Sequence, residues 1–199
     1  MLYWMAMTQL AESHLTVKEA AFVTGVGERI VNHEIDARII PSQLSGGDRR
    51  IRGFDVLYLS AVRNVRDGLG QPFRRRLRNA IAKAASEQAA EATVEHFHVL
   101  LQELEVGLIG AFRELQAARN EHIESRAEVL AGEPVIKGTR IAARHVADLV
   151  KRGASTAEIR DDFDLTDAQI RAAVVFDRVT PKRGRPMGRR QRTAHVSAA

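Results

Sequence analysis

The chain has 199 residues, 45% hydrophobic and 28% charged, with a formal net charge of +5. That length holds one domain or two small ones, and the apolar fraction is ordinary for a globular protein, which excludes wholesale disorder. There is no cysteine, so disulfides, thiolate metal sites and cysteine nucleophiles are excluded together, and no apolar run approaches the ~20 residues needed to cross a bilayer.

The charge is unevenly spread. Residues 1–85 carry 13 Lys+Arg against 8 Asp+Glu, residues 86–125 carry 2 against 8, residues 126–178 carry 9 against 9, and residues 179–199 carry 6 against none. Two basic segments therefore flank an acidic middle and a neutral module, a pattern that points to a polyanion at the ends. Met1–Leu10 is apolar but lacks the basic start and cleavage site of a signal peptide, so the expected location is the cytoplasm.

At the front, Thr16 precedes Val17–Val23 with Glu19 three residues on, a capping box that opens a helix. Gly25 breaks the run, and Gly27–Glu34 reads as a second short helix. Two short helices joined by a Gly-containing turn make a helix-turn-helix. Ile39-Ile40-Pro41, then Ser45-Gly46-Gly47-Asp48 and Arg49–Arg52, predict a β-hairpin about the Gly-Gly turn. A third helix starts at Phe54, with Val56, Leu59 and Val62 at helical spacing.

These residues, from Leu15-Thr16-Val17-Lys18-Glu19-Ala20-Ala21 through the Gly-Gly wing to Leu59, resemble the MerR-type and excisionase-type winged helix-turn-helix. The resemblance implies a second helix in the major groove and a wing on the backbone. It assigns Arg29, Asn32 and His33 to bases and Arg49, Arg50 and Arg52 to phosphates, consistent with Arg pairing guanine and Asn pairing adenine. Glu28, at the mouth of that helix, either reads a cytosine or repels DNA. Arg74-Arg75-Arg76 with Arg78 follow on a helix running to about Ala85; phosphate contacts are expected of them beside the wing.

In the acidic middle, Val94–Leu101 mixes β-branched and aromatic residues and predicts a strand, and Leu108–Ala118 has a helical period through Ile109, Phe112 and Leu115. His96 and His98 would share one face of such a strand, but no third ligand with recognisable spacing follows, so they read as surface or packing histidines. The segment is expected to join the two modules and to help dimerise.

The rear is the most specific stretch. Gly132–Ile141 is extended by composition, since Pro134 and Gly138 exclude a helix through it. Three helices are predicted over 143–152, 156–163 and 166–176, with Gly153 closing the first and Ser155 and Thr166 capping the others. Val146, Leu149, Val150, Ile159, Phe163, Ile170, Val174 and Val175 are the expected trihelical core. Gly132-Glu133-Pro134-Val135-Ile136-Lys137-Gly138-Thr139-Arg140-Ile141, then Gly153–Ser155, Asp162-Phe163 and Leu165-Thr166, are similar to the family catalogued as "domain of unknown function 433". That resemblance implies a homeodomain-like module, an antitoxin of the VapB kind, and a toxin partner with the PIN-like ribonuclease fold.

The acidic surface of Asp161, Asp162, Asp164 and Asp167 would be repelled by phosphates, so a protein partner suits this module better than DNA. Lys137, Thr139 and Arg140 are its candidate toxin-binding residues. Lys137 and Arg140 either address the carboxylates a PIN-like nuclease gathers around Mg²⁺ or satisfy groups within the module. In the tail, Arg183-Gly184-Arg185-Pro186 resembles the core of an AT-hook, in which Gly permits close approach to a narrow A·T minor groove. Solubilising the chain or wrapping the toxin are the other uses open to it.

The expected whole is mainly α (α+β): a winged helix-turn-helix over 1–85, an acidic connecting and dimerisation segment over 86–125, a trihelical module over 126–178 and a basic tail over 179–199. The expected function is an antitoxin that neutralises a PIN-like ribonuclease and represses its own operon, as a homodimer or a larger hetero-oligomer with the toxin. The alternative is a MerR-like regulator without a toxin, its rear module dimerising or sensing a ligand. No nucleophile–base constellation, metal site or cofactor pattern is read, so no catalysis is expected. Asp161, Asp162 and Asp164 as a nuclease site are disfavoured, because adjacent carboxylates on a helix point apart.

Overall fold

A computed structural model describes residues 9–180. The fold is mainly helical with small antiparallel sheets. Strand β1 (His14–Thr16) leads into α1 (Val17–Thr24). The Thr16 hydroxyl accepts from the Glu19 N–H, and the Glu19 carboxylate accepts from the Thr16 N–H at 2.8 Å, which satisfies two donors that a helix start leaves orphaned. Gly25 closes α1 in the left-handed conformation, φ 69°, a geometry that costs glycine little. Helix α2 (Glu28–Asp36) follows, and its Val31 and Ile35 lie in the same core as Ala20, Ala21 and Val23 of α1.

Strands β2 (Gln43–Ser45) and β3 (Asp48–Arg52) form the expected hairpin. Gly46 and Gly47 both have positive φ, which a tight two-residue hairpin turn demands. The sheet order is β1-β3-β2, so β1 pairs with the far edge of β3 with Leu15 opposite Ile51 and Thr16 opposite Arg50. This third strand is not predicted from the sequence. Helix α3 (Gly53–Val62), a 3₁₀ turn (Arg66–Gly68) and α4 (Gln71–Ser86) complete the front.

The strand expected over 94–101 is two strands, β4 (Glu91–Val94) and β5 (Phe97–Leu100), joined by a turn at Glu95-His96 with Glu95 at φ 55°. His96 therefore lies in the turn and shares no strand face with His98. Helix α5 (Leu101–Ala117) starts seven residues before the predicted Leu108 and continues into a π-helical turn, Ala118–His122. Its Leu108, Ile109, Phe112 and Leu115 are buried in the main core.

Strands β6 (Ile123–Glu124) and β7 (Val135–Ile136) pair antiparallel and open the rear module. Helix α6 (Ala143–Lys151) stops before Gly153. Helices α7 (Thr156–Phe163) and α8 (Asp167–Val179) start from the capping boxes Ser155/Glu158 and Thr166/Gln169. The rear core contains Val146, Ile159, Leu165, Ile170 and Ala173. Val175 is a correction to the expected set: with Ala172 and Val179 it faces the front core instead. Helix α8 thus belongs to two cores, and burying Val175 and Val179 contributes about 1.5–3 kcal/mol each to joining them. Asp177, on the same helix, is held by Arg144 and Lys151 of α6. No helix among the described residues is long and apolar enough to cross a membrane.

Candidate nucleic-acid interface

The side chains of α2 and the wing meet on one surface. Arg29 is exposed, and Asn32 is half-buried, its Nδ2 donating to the Glu28 carbonyl at 3.2 Å. Arg49 reaches across from β3, with Nη1 2.7 Å from Asp36 Oδ1 and 3.5 Å from Asn32 Oδ1. A groove of about 240 Å³ lies here, with Lys18, Glu28, Asn32 and Arg49 on its walls. Lys18 joins this surface because it sits in the first turn of α1, a position the sequence reading left out. His33 is exposed but turned to Arg66, whose Nη2 lies 2.6 Å from Nδ1.

The three wing arginines do not act together. Successive side chains of a strand point to opposite faces, so Arg49 lies towards α2 while Arg50 and Arg52 lie on the other side. Arg52 is exposed; Arg50 is half-buried, against Glu19, Leu115 and Phe176. For Arg50 the expected phosphate contact is corrected: its guanidinium is turned into the seam between the halves.

The arginine run on α4 is split the same way by helical periodicity. Arg74 and Arg78 share the inward face with Leu77 and Ile81. Arg74 is buried and engages Glu34, the residue after His33 on α2. Glu34 is fully buried and also accepts from Tyr58 Oη at 2.7 Å and Arg66 Nε at 2.6 Å. Arg74 is therefore a second correction: its guanidinium is buried against a buried carboxylate, with Nε shut away from solvent and unpartnered, so it faces no phosphate. Arg78 donates to the buried Asp55 at 2.7 Å. Burial pushes the Asp55 carboxyl above its ordinary range, while Arg78 and Arg52 pull it back. Arg75 and Arg76 are exposed, Arg76 pairing with Glu95 at 2.6 Å.

In the rear module, Lys137 and Arg140 are exposed on the loop after β7. Thr139 is a correction: its hydroxyl donates to the Ile136 carbonyl at 2.9 Å and accepts from the Ile141 N–H at 3.0 Å, so it holds the loop in shape instead of facing a partner. The Gly138 N–H, at φ 80°, donates to Glu124. Asp161, Asp162, Asp164 and Asp167 are exposed. Among the described residues no three His, Asp or Glu side chains gather as a metal-binding group. Arg183 and Arg185 lie outside the described residues. Val179, the last residue of α8, borders the groove beside Asn32 and Arg49.

Residues 123–176 match the family described as protein of unknown function (DUF433). Over 184 residues the chain is 30% identical to uncharacterized protein y4eO of Sinorhizobium fredii (strain NBRC 101917 / NGR234), covering 86% of this chain and 83% of that protein. The crystal structure of Rv2018 from Mycobacterium tuberculosis aligns with a TM-score of 0.35 and 15% identity, over 80% of this chain and 96% of that one. That similarity is too low to carry an inference.

Proposed function

The chain belongs to one family with protein y4eO and carries a DUF433 domain at residues 123–176, and on that premise we propose that it is a DNA-binding antitoxin. Its front half would grip the operator of its own operon in the manner of a MerR-like winged helix, and its rear half would hold a PIN-like ribonuclease toxin. The supporting observation is the groove between α2 and the wing, where Lys18, Asn32 and Arg49 lie together with Glu28 and Asp48. Helix α8, which the basic tail follows in sequence, ends at the border of that groove, which favours Arg183 and Arg185 acting on the same DNA. Lys137 and Arg140, exposed on a loop fixed by Thr139, are the cations offered to the toxin's carboxylates.

The test is operator binding as a function of salt, where log K falls by about 0.9 per phosphate contacted for each unit of log salt. Arg49→Ala should flatten the slope by about one contact. Arg74→Ala should leave the slope alone but lower stability by about 1–3 kcal/mol, because the buried Glu34 keeps one guanidinium, Arg66, where it had two. An unchanged slope in Arg49→Ala, or a flattened one in Arg74→Ala, places the DNA elsewhere. Co-expression with the adjacent reading frame tests the toxin: a stable complex should purify, and Lys137→Glu with Arg140→Glu should disperse it. A cavity between the front and rear halves, lined by Arg50, Leu115, Ile123 and Phe176, favours a second reading, a MerR-like regulator without a toxin whose rear module senses a ligand.

A further inference from the structure

Where the front and rear halves meet, a cavity of about 500 Å³ opens between β3, the end of α5 and the end of α8. Leu115, Ile123, Phe176 and Val179 supply apolar wall, and Arg50 and Arg119 supply its cations. The two arginines differ in what they already hold. Arg119 is engaged by Glu19, the carboxylate that also caps α1. Arg50 forms no ion pair among the described residues, and its Nε–H is buried without an acceptor. The second carboxylate on the wall, Glu124, is likewise occupied, accepting from Gly138 N at 2.9 Å and lying 3.2 Å from Arg126. With Glu19 engaged by Arg119 and Glu124 by Arg126, Arg50 is the cation on this wall left without an ion-pair partner among the described residues.

A buried donor on a cation that lacks an acceptor is costly and rare. Its setting is that of a small-molecule site: roughly 300–1,000 Å³, largely apolar, with few polar groups to fix orientation. One rim is the π-helical turn Ala118–His122, a geometry that recurs at functional sites. We propose that this cavity binds a small organic monocarboxylate, its carboxylate accepting from Arg50 and its apolar body resting on Leu115, Ile123 and Phe176. One free cation matches one negative charge; a dianion would leave the second charge beside Glu19 and Glu124. A planar carboxylate also suits the fork of a guanidinium. Neither DNA nor a toxin is needed for this binding, so it stands or falls apart from the antitoxin reading.

The experiment uses the full-length chain with benzoate, its neutral isostere benzamide and the aliphatic 3-methylbutanoate. At tenfold excess over Kd, a bound carboxylate raises Tm by about 3–5 °C. Benzamide should give less than about a third of that shift, because it lacks the charge that pairs with Arg50. Arg50→Gln should abolish the carboxylate shift, while Arg52→Gln, exposed on the same strand face, should keep it. The Arg50 Nε–H resonance of the unaltered protein should move with benzoate and stay put with benzamide. Equal shifts from benzoate and benzamide, a shift retained in Arg50→Gln, or no shift from either carboxylate at about 20 mM (an affinity weaker than the millimolar range) overturns the proposal.

Discussion

Adjacent residues on α2 serve different masters. His33 is exposed, while Glu34 is fully buried and anchors the helix to Tyr58, Arg66 and Arg74. Burial first, and then the carboxylate it donates to, push the Tyr58 phenol above its ordinary 10.0. A folded-state pKa raised above the unfolded one contributes stability that is fully present below pH 10 and is lost as pH rises towards the folded value. Wild type and Tyr58→Phe should therefore show coincident tyrosinate absorbance titrations to about pH 11 while folded; an extra phenol ionising in the wild type near 10 contradicts the burial. Gly53 makes an equally sharp test. A Cβ there would lie 1.5 Å from the Leu10 carbonyl oxygen, which is backbone and has no rotamer to yield. Gly53 is the first residue of α3, where helix propensity counts little, so Gly53→Ala should lose about 1–3 kcal/mol through overpacking, read as a drop in the urea midpoint. A neutral or stabilised variant would mean that residues 10 and 53 do not meet. Neither Glu34 nor Gly53 could be picked out from the sequence, because their partners lie 24 to 43 positions away.

Elements whose causes are local were legible, and those fixed by distant pairing were not. The capping boxes at Thr16/Glu19 and Thr166/Gln169 and the N-cap at Ser155 are written within a few residues each and all form, and Glu158 closes a third box at Ser155. Strand β1 is three residues long and exists because β3 lies beside it, so no periodicity announces it. The turn at Glu95 has no glycine to mark its positive φ, and the inward face of α4 was hidden by reading Arg74 as one charge in a run. The site divides likewise: Arg49 and Asn32 sit on elements written locally in the sequence, whereas the inward turn of Arg50 depends on α5 and α8. The cap on α7 is the element to test. The Ser155 N–H, then its hydroxyl, hold the Glu158 carboxyl below its ordinary 4.5. A lowered folded-state pKa contributes stability that is present above 4.5 and is lost as pH falls through the folded value. Ser155→Ala should cost about 1 kcal/mol at neutral pH, and Glu158→Gln, which removes the titrating carboxylate, should lose stability less steeply on acidification than the wild type. Identical acid slopes would remove Glu158 from the cap.

At the scale of the molecule, α8 decides whether front and rear unfold separately. Ile170 and Ala173 complete the rear core, while Ala172, Val175 and Val179 complete the front one. Arg178 adds a contact of its own, 5.2 Å above the Phe22 ring of α1. A chain built this way couples its rear half to its front half along one helix, because both cores include residues of α8. Elements that share a core open together, so their amides exchange through the same global unfolding. Val175→Ala leaves a cavity in the front core only, and deleting those methyls should cost about 2 kcal/mol. Hydrogen exchange then separates the two cases. If α8 couples the cores, the slowest amides of α2 and of α6 lose protection by the same amount in Val175→Ala, although α6 packs in the rear. If α2 alone loses protection and α6 keeps it, the halves are independent folding units, and an event at one would reach the other only through the tether.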